Sequence, residues 1–210
     1  MPITPRHGDV FLAVDLQYDF MPGGKLAVAG GDEIVPLVNR VATRFSNVVM
    51  TQDWHPANHI SFASSYNEAA PFEVITVPYG PQVLWPDHCV QGTHGAEFHK
   101  DVDMPHCQMV IRKGYRETVD SYSGFEEADR VTKTGLEGYL KERGLKRLFV
   151  AGLATDFCVN WTAVDGRAAG FDVYVIEDAC RAIDTNGSLA KAWSDMSAAG
   201  VVRINSSELL

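Results

Sequence analysis

The chain has 210 residues, 46% of them hydrophobic and 21% charged, the size of one domain that can bury a full core without disulfide or metal staples. Its net charge of −9, with no Lys/Arg-rich run, excludes nucleic acid and anionic membrane surfaces as expected partners.

Short apolar runs rich in β-branched residues punctuate the sequence, and helical patterns lie between them. Residues 10–14 read as the first strand. Ile34, Val38, Val41 and Phe45 then follow helical spacing, and residues 48–51 read as the second strand. Residues 52–108 break the rhythm with a long segment rich in Pro, His, Trp and Gly. A third strand is predicted at 109–111, followed by a polar loop at 114–129. Loops of such length in a compact domain are usually functional.

Leu136, Tyr139 and Leu140 mark a second helix, stopped by Gly144, and residues 148–151 a fourth strand. Thr155 or Asp156 is suited to cap a third helix that runs to about Ala169 and stops at Gly170. A strand at 173–176, a helix on Leu189, Trp193 and Met196, and a last strand at 201–204 complete the chain. Most of the strand runs are too continuous for a half-solvated sheet. The expected fold is a three-layer α/β/α, Rossmann-like domain over residues 1–210, with a mostly parallel six-stranded sheet and right-handed crossovers.

No stretch reaches the roughly 18 apolar residues of a membrane span. Residues 1–9 lack the apolar run of a secretory signal, so a cytoplasmic location is expected. Cys89, Cys107, Cys158 and Cys180 are far apart in sequence with no CxxC pair, and are expected to be free thiols.

Ligands of open α/β sheets bind beyond the carboxyl ends of the strands. Asp15 follows the first predicted strand, Asp53-Trp54-His55 the second, Lys113 the third and Gly152–Cys158 the fourth. Cys158 falls in the first turn of the predicted third helix, where the helix dipole and a nearby lysine favour a nucleophilic thiolate; a packed core thiol is the other reading. Asp15 suits a general acid/base or an ion-pair partner for Lys113. Asp53, His55 and His88 offer two imidazoles and a carboxylate, a set that suits Zn, Fe or Mn, with His59 as a fourth ligand or the holder of a bound water. Turn capping beside Pro56 and Pro86 is the alternative for these histidines. His94, His99 and His106 read as surface or loop residues. Phe20 and Trp85 could stack on a flat ring or simply pack in the core.

Together, Asp15-Leu16-Gln17-x-Asp19-Phe20, Asp53-Trp54-His55-Pro56, Trp85-Pro86-Asp87-His88-Cys89-Val90, Lys113-Gly114, Asp120-Ser121-Tyr122-Ser123 and Gly152-Leu153-Ala154-Thr155-Asp156-x-Cys158-Val159 resemble the bacterial nicotinamidases (pyrazinamidases), within the isochorismatase-like cysteine hydrolases. The resemblance implies Cys158 as nucleophile, Asp15 as proton-transfer acid and Lys113 as third catalytic member. It implies Asp53, His55 and His88 as ligands of one divalent transition metal ion, with His59 direct or water-mediated. It places the oxyanion hole at the N–H groups of Ala154 and Cys158, a cis peptide at Leu153–Ala154, and the ring pocket at Phe20, Trp85, Tyr122, Leu153 and Ala154. The implied reaction is hydrolysis of nicotinamide, and of pyrazinamide, in NAD salvage, by a monomer or homodimer.

Two other readings compete. A hydrolase of the same fold acting on another small amide or on isochorismate generally lacks the metal cluster. An inactive binding protein has no need of three competent catalytic positions.

Overall fold

The computed structural model describes residues 3–209. The expected domain of 1–210 also takes in Met1, Pro2 and Leu210, which lie outside the described residues. The first half of the chain forms β1 (Asp9–Val14), α1 (Val35–Ala42), β2 (Val48–Asp53), β3 (Val74–Val77), β4 (Gly80–Val83) and β5 (Met109–Lys113). The second half forms α2 (Leu136–Glu142), β6 (Arg147–Leu153), α3 (Asn160–Ala168), β7 (Asp172–Arg181), α4 (Ser188–Ala198) and β8 (Val202–Ile204).

Six strands make one sheet in the order β5-β2-β1-β6-β7-β8, and every adjacent pair is parallel. All residues of β1 and β2 are buried, as expected of strands covered on both faces, whereas the edge strand β5 alternates between buried and exposed positions. From β1 the chain winds outward to β2 and β5; from β6 it winds the other way to β7 and β8. Right-handed crossovers therefore place α1 on one face and α3 and α4 on the other. The reversal between β1 and β6 opens a crevice at their carboxyl ends. Gly152 permits that junction: a Cβ there would lie 2.1 Å from the Val14 carbonyl oxygen.

Three expectations need correction. The segment 52–108 is not loop throughout, because β3 and β4 form an antiparallel hairpin within it. Its alternation is masked because most of β3 faces solvent. The helical stripe ending at Phe45 outruns its helix: α1 stops at Ala42, and Phe45 packs on Phe11 and Phe149 from the following turn. The third helix starts late. Residues Thr155–Val159 form a π turn, closed by the Val159 N–H on the Ala154 carbonyl, and α3 begins only at Asn160. Neither Thr155 nor Asp156 caps it.

Candidate active site

The crevice at the β1/β6 reversal holds a partly open cavity. Phe20, Asp53, His55, Trp85, His88, Tyr122, Ala154 and Cys158 line it, together with Leu26, Asp120, Ser121, Phe157 and Ile183. Asp15 and Lys113 are fully buried and meet Cys158 from behind. Leu153 is also fully buried and does not line the cavity. Its peptide bond to Ala154 is cis.

Lys113 is the centre of the charged cluster. Its Nζ lies 3.3 Å from the Cys158 sulfur, 2.9 Å from Asp15 Oδ2 and 3.2 Å from the Ser121 carbonyl oxygen, and it donates to Asp53 Oδ1. Burial opposes its charge, but Asp15, Asp53 and Cys158 outweigh burial and hold its pKa well above the ordinary lysine value. Thr51 donates to Asp15 Oδ1 at 2.6 Å. The other buried oxygen, Oδ2, faces Lys113 as an ion pair and has no hydrogen-bond partner among the described residues. A carboxylate oxygen of Asp15 and the Cys158 sulfur are within 4.8 Å of each other, leaving Asp15 able to accept the thiol proton.

Burial raises the Asp15 pKa; Lys113 lowers it and Asp53 raises it again. Burial likewise pushes the Cys158 thiol well up, against the pull of Lys113 and with the push of Asp15. Burial is the largest influence on the sulfur, and Lys113 is the strongest one opposing it.

The second cluster is built by strand-like pairing across the long segment. His55 N–H donates to the Cys89 carbonyl and Gln91 N–H to the His55 carbonyl, while Trp85 N–H donates to Ser61. The two passes therefore run parallel, His55 pairing with Val90, and the His55 and His88 rings lie 4.9 Å apart. His55 Nδ1 donates to the Gly114 carbonyl at 2.9 Å, and His88 Nδ1 to the Pro86 carbonyl at 2.8 Å. Both Nε2 lone pairs are thereby free, and they lie 3.6 and 3.8 Å from Asp53 Oδ2. Orienting partners on the far nitrogen are characteristic of metal-binding histidines.

The electrostatics agree. Burial pushes Asp53 up, but Lys113 and His55 bring it well below the usual carboxylate range. Burial pushes His55 down, yet Asp53 more than reverses this. The cluster thus favours a bound positive charge. Burial and His55 lower His88 to about 4.

The His59 ring centroid lies 4.2 Å from that of His55, the rings tilted by 36°, but its own nitrogens are committed. Nε2 donates to the Val119 carbonyl at 3.1 Å, and Nδ1 meets the Ser61 hydroxyl at 2.7 Å. His94, His99 and His106 lie outside the cavity, as expected.

Several residues that fix this geometry drew no role from sequence. Gln17 Nε2 donates to the Asp53 carbonyl and Gln17 Oε1 accepts the Asp53 N–H, at 2.8 and 2.7 Å. Asp19 Oδ2 accepts the Cys89 N–H at 2.7 Å, pinning the turn after His88. Gln82, on β4, donates to Asp120 Oδ2 at 2.7 Å and to the Tyr122 hydroxyl at 3.1 Å. Trp85 Nε1 donates to the same hydroxyl at 2.8 Å. Gln17, Asp19 and Asp120 stood inside the quoted motifs, which was their only signal. Gln82, Phe157 and Ile183 had none.

The Isochorismatase domain model matches residues 9–208, and the chain belongs to that family. It is 58% identical over 199 residues to a nicotinamidase of Acinetobacter baylyi, covering 95% of this chain and 93% of the relative. A solved structure described as a nicotinamidase and pyrazinamidase of Acinetobacter baumanii superposes with a TM-score of 0.97 at 56% identity, over 98% of this chain and 99% of that one. A pyrazinamidase of Pyrococcus horikoshii in complex with zinc gives 0.77 at 38% identity, over 94% and 99%.

Proposed function

We propose that this chain is a nicotinamidase, hydrolysing nicotinamide to nicotinate and ammonia through a Cys158 thioester, and pyrazinamide to pyrazinoate in the same way. One observation carries the reading. Cys158, backed by buried Asp15 and Lys113, and two histidines with free Nε2 atoms line a single aromatic cavity. The 58% identical nicotinamidase and the zinc-bound pyrazinamidase support it.

The residues present fit a divalent transition metal ion, whether zinc, iron or manganese. Asp53, His55 and His88 would hold it, with ligand atoms all within 4.8 Å of one another. When bound, such an ion supplies a Lewis-acid anchor for the pyridine nitrogen. We assign His59 to the support of His55 and not to direct ligation, because both of its nitrogens are engaged.

Phe20, Trp85 and Tyr122 hold the ring so that the carboxamide lies over Cys158, and positioning supplies much of the rate. Cys158 passes its proton to Asp15 as the sulfur bonds to the amide carbon, and the carbonyl electron pair moves onto oxygen. The N–H groups of Ala154 and Cys158 stabilise that oxyanion. The pair returns, the C–N bond breaks, and Asp15 gives its proton to the leaving ammonia. Water then attacks the thioester while Asp15 takes its proton. The sulfur leaves, recovers the proton and releases nicotinate. Lys113 stays charged throughout and balances Asp15 and the sulfur.

All these groups come from one chain. A cytoplasmic location and a role in NAD salvage accompany the reading; no helix of the described residues is long and apolar enough to cross a membrane. Acid-quenched turnover analysed by mass spectrometry tests it: equimolar nicotinate and ammonia with a nicotinoyl adduct on Cys158 are expected. Nicotinate formed with the adduct on another residue would overturn the assignment.

A further inference from the structure

Asp156 lies two residues before the nucleophile in the π turn, with only 5% of its surface exposed. Its side chain does not reach the substrate cavity. Residues two apart on a helical turn point to different sides, and here Cys158 faces the cavity while Asp156 faces the loop between β7 and α4. There the carboxylate collects three hydrogen bonds. Oδ1 accepts the Ile183 N–H at 3.0 Å; Oδ2 accepts the Asp184 N–H at 2.8 Å and the Ser188 hydroxyl. Asp184 in turn accepts the Leu189 N–H at 3.3 Å, tying the loop to the start of α4. The loop backbone is left-handed at Asp184 and Asn186, with φ of 52° and 53°, so its course is not one that local preference selects.

Ile183 is the residue of this loop that lines the substrate cavity. The carboxylate that holds its backbone N–H belongs to the same turn as the nucleophile. We propose that Asp156 is a positioning residue that fixes Ile183 as a wall of the substrate cavity, in register with Cys158. An ionised carboxylate is the side chain suited to this task, because it only accepts and its bonds to N–H and O–H donors are charge-assisted. Asparagine has nearly the same shape but one acceptor oxygen, so it leaves one of the two backbone N–H groups, which bond opposite oxygens, without an acceptor.

This inference rests on the nicotinamidase reading and narrows it: Asp156 sets how tightly the ring is held, and leaves the chemistry at sulfur alone. The test compares wild type, Asp156→Asn, Ser188→Ala, Ile183→Ala and the Asp156→Asn/Ile183→Ala double variant in metal-loaded enzyme. Two readouts are taken: kcat and KM for nicotinamide, and the rate of Cys158 alkylation by iodoacetamide without substrate. Asp156→Asn is expected to raise KM roughly tenfold through loss of positioning, with kcat within about threefold of wild type. Alkylation should quicken as the wall loosens. Ser188→Ala removes one of the three bonds and gives a smaller version of the same change, readable even if Asp156→Asn does not fold. The double variant should be no worse than the worse single, because both act on one wall.

Multiplying effects in the double variant would overturn the proposal. So would a fall in kcat and in alkylation rate at unchanged KM, since Asp156 would then act on the nucleophile turn itself. Failure of the wild-type enzyme to turn over nicotinamide would sink the functional reading instead, and the alkylation arm would still report on the wall.

Discussion

Lys113 donates to Oδ1 of Asp53, the aspartate whose other oxygen faces both free histidine nitrogens. One buried ion pair therefore joins the nucleophile's surroundings to the metal-type cluster. Changes on either side are felt on the other.

Replacing Lys113 by Met should show this coupling. It leaves Asp15 and Asp53 buried without their cation, and breaking a buried pair costs about 3–5 kcal/mol. Urea unfolding should report that loss, with activity abolished. Wild-type stability in the variant would contradict the role of Lys113 as counter-ion.

Gly114 has φ of +65°, and a Cβ there would lie 2.3 Å from His55 Cε1. Gly114→Ala should push His55 off its Nδ1–carbonyl bond, and metal affinity should fall by about 10–100-fold, the usual cost of losing such a partner. Competition with a chromophoric chelator measures this. Unchanged affinity would show that the Gly114 carbonyl does not orient the ring.

Asp15 must be ionised to take the thiol proton, and burial raises its pKa. Activity should therefore switch on as pH rises through a value above the ordinary Asp value of about 3.9. The acid limb of kcat/KM measures it. Asp15→Asn should lower kcat by about 10²–10⁴-fold across the whole profile; a variant that keeps its rate would remove Asp15 from proton transfer.

His59 and His88 are lowered to about 4, each by burial and then by His55. The unfolded chain takes up these protons near 6.5, but the fold takes them up only near 4. Between those values the unfolded state binds more protons, so the chelated protein should lose stability as pH falls from about 6.5 to about 4. Each histidine contributes roughly 1.4 kcal/mol per pH unit at most. Asp15, raised in the fold, works the other way at the acid end. Denaturant midpoints across this range check the slope, and His59→Asn should reduce it. A flat profile would contradict buried neutral imidazoles.

The sheet and the reactive rim were legible because their signals are local. Continuous apolar runs announced strands buried on both faces, and Asp15, Asp53, Lys113 and Cys158 each stand at or just beyond a strand's carboxyl end. The β3–β4 hairpin was hidden because exposed strand residues carry no buried-face alternation. Gln82 and Ile183 act through contacts made only by folding, at sequence separations of 38 and 27 from Asp120 and Asp156. The burial of Cys158 beside two carboxylates, which opposes its ionisation, is likewise invisible in spacing.

The most direct measurement is ammonia release from nicotinamide by the purified protein as isolated, after chelation, after metal add-back, and as Cys158→Ala. The account predicts turnover that is lost on chelation, restored by add-back, and absent in the variant under every condition. Full turnover in the chelated enzyme, or in Cys158→Ala, would contradict it.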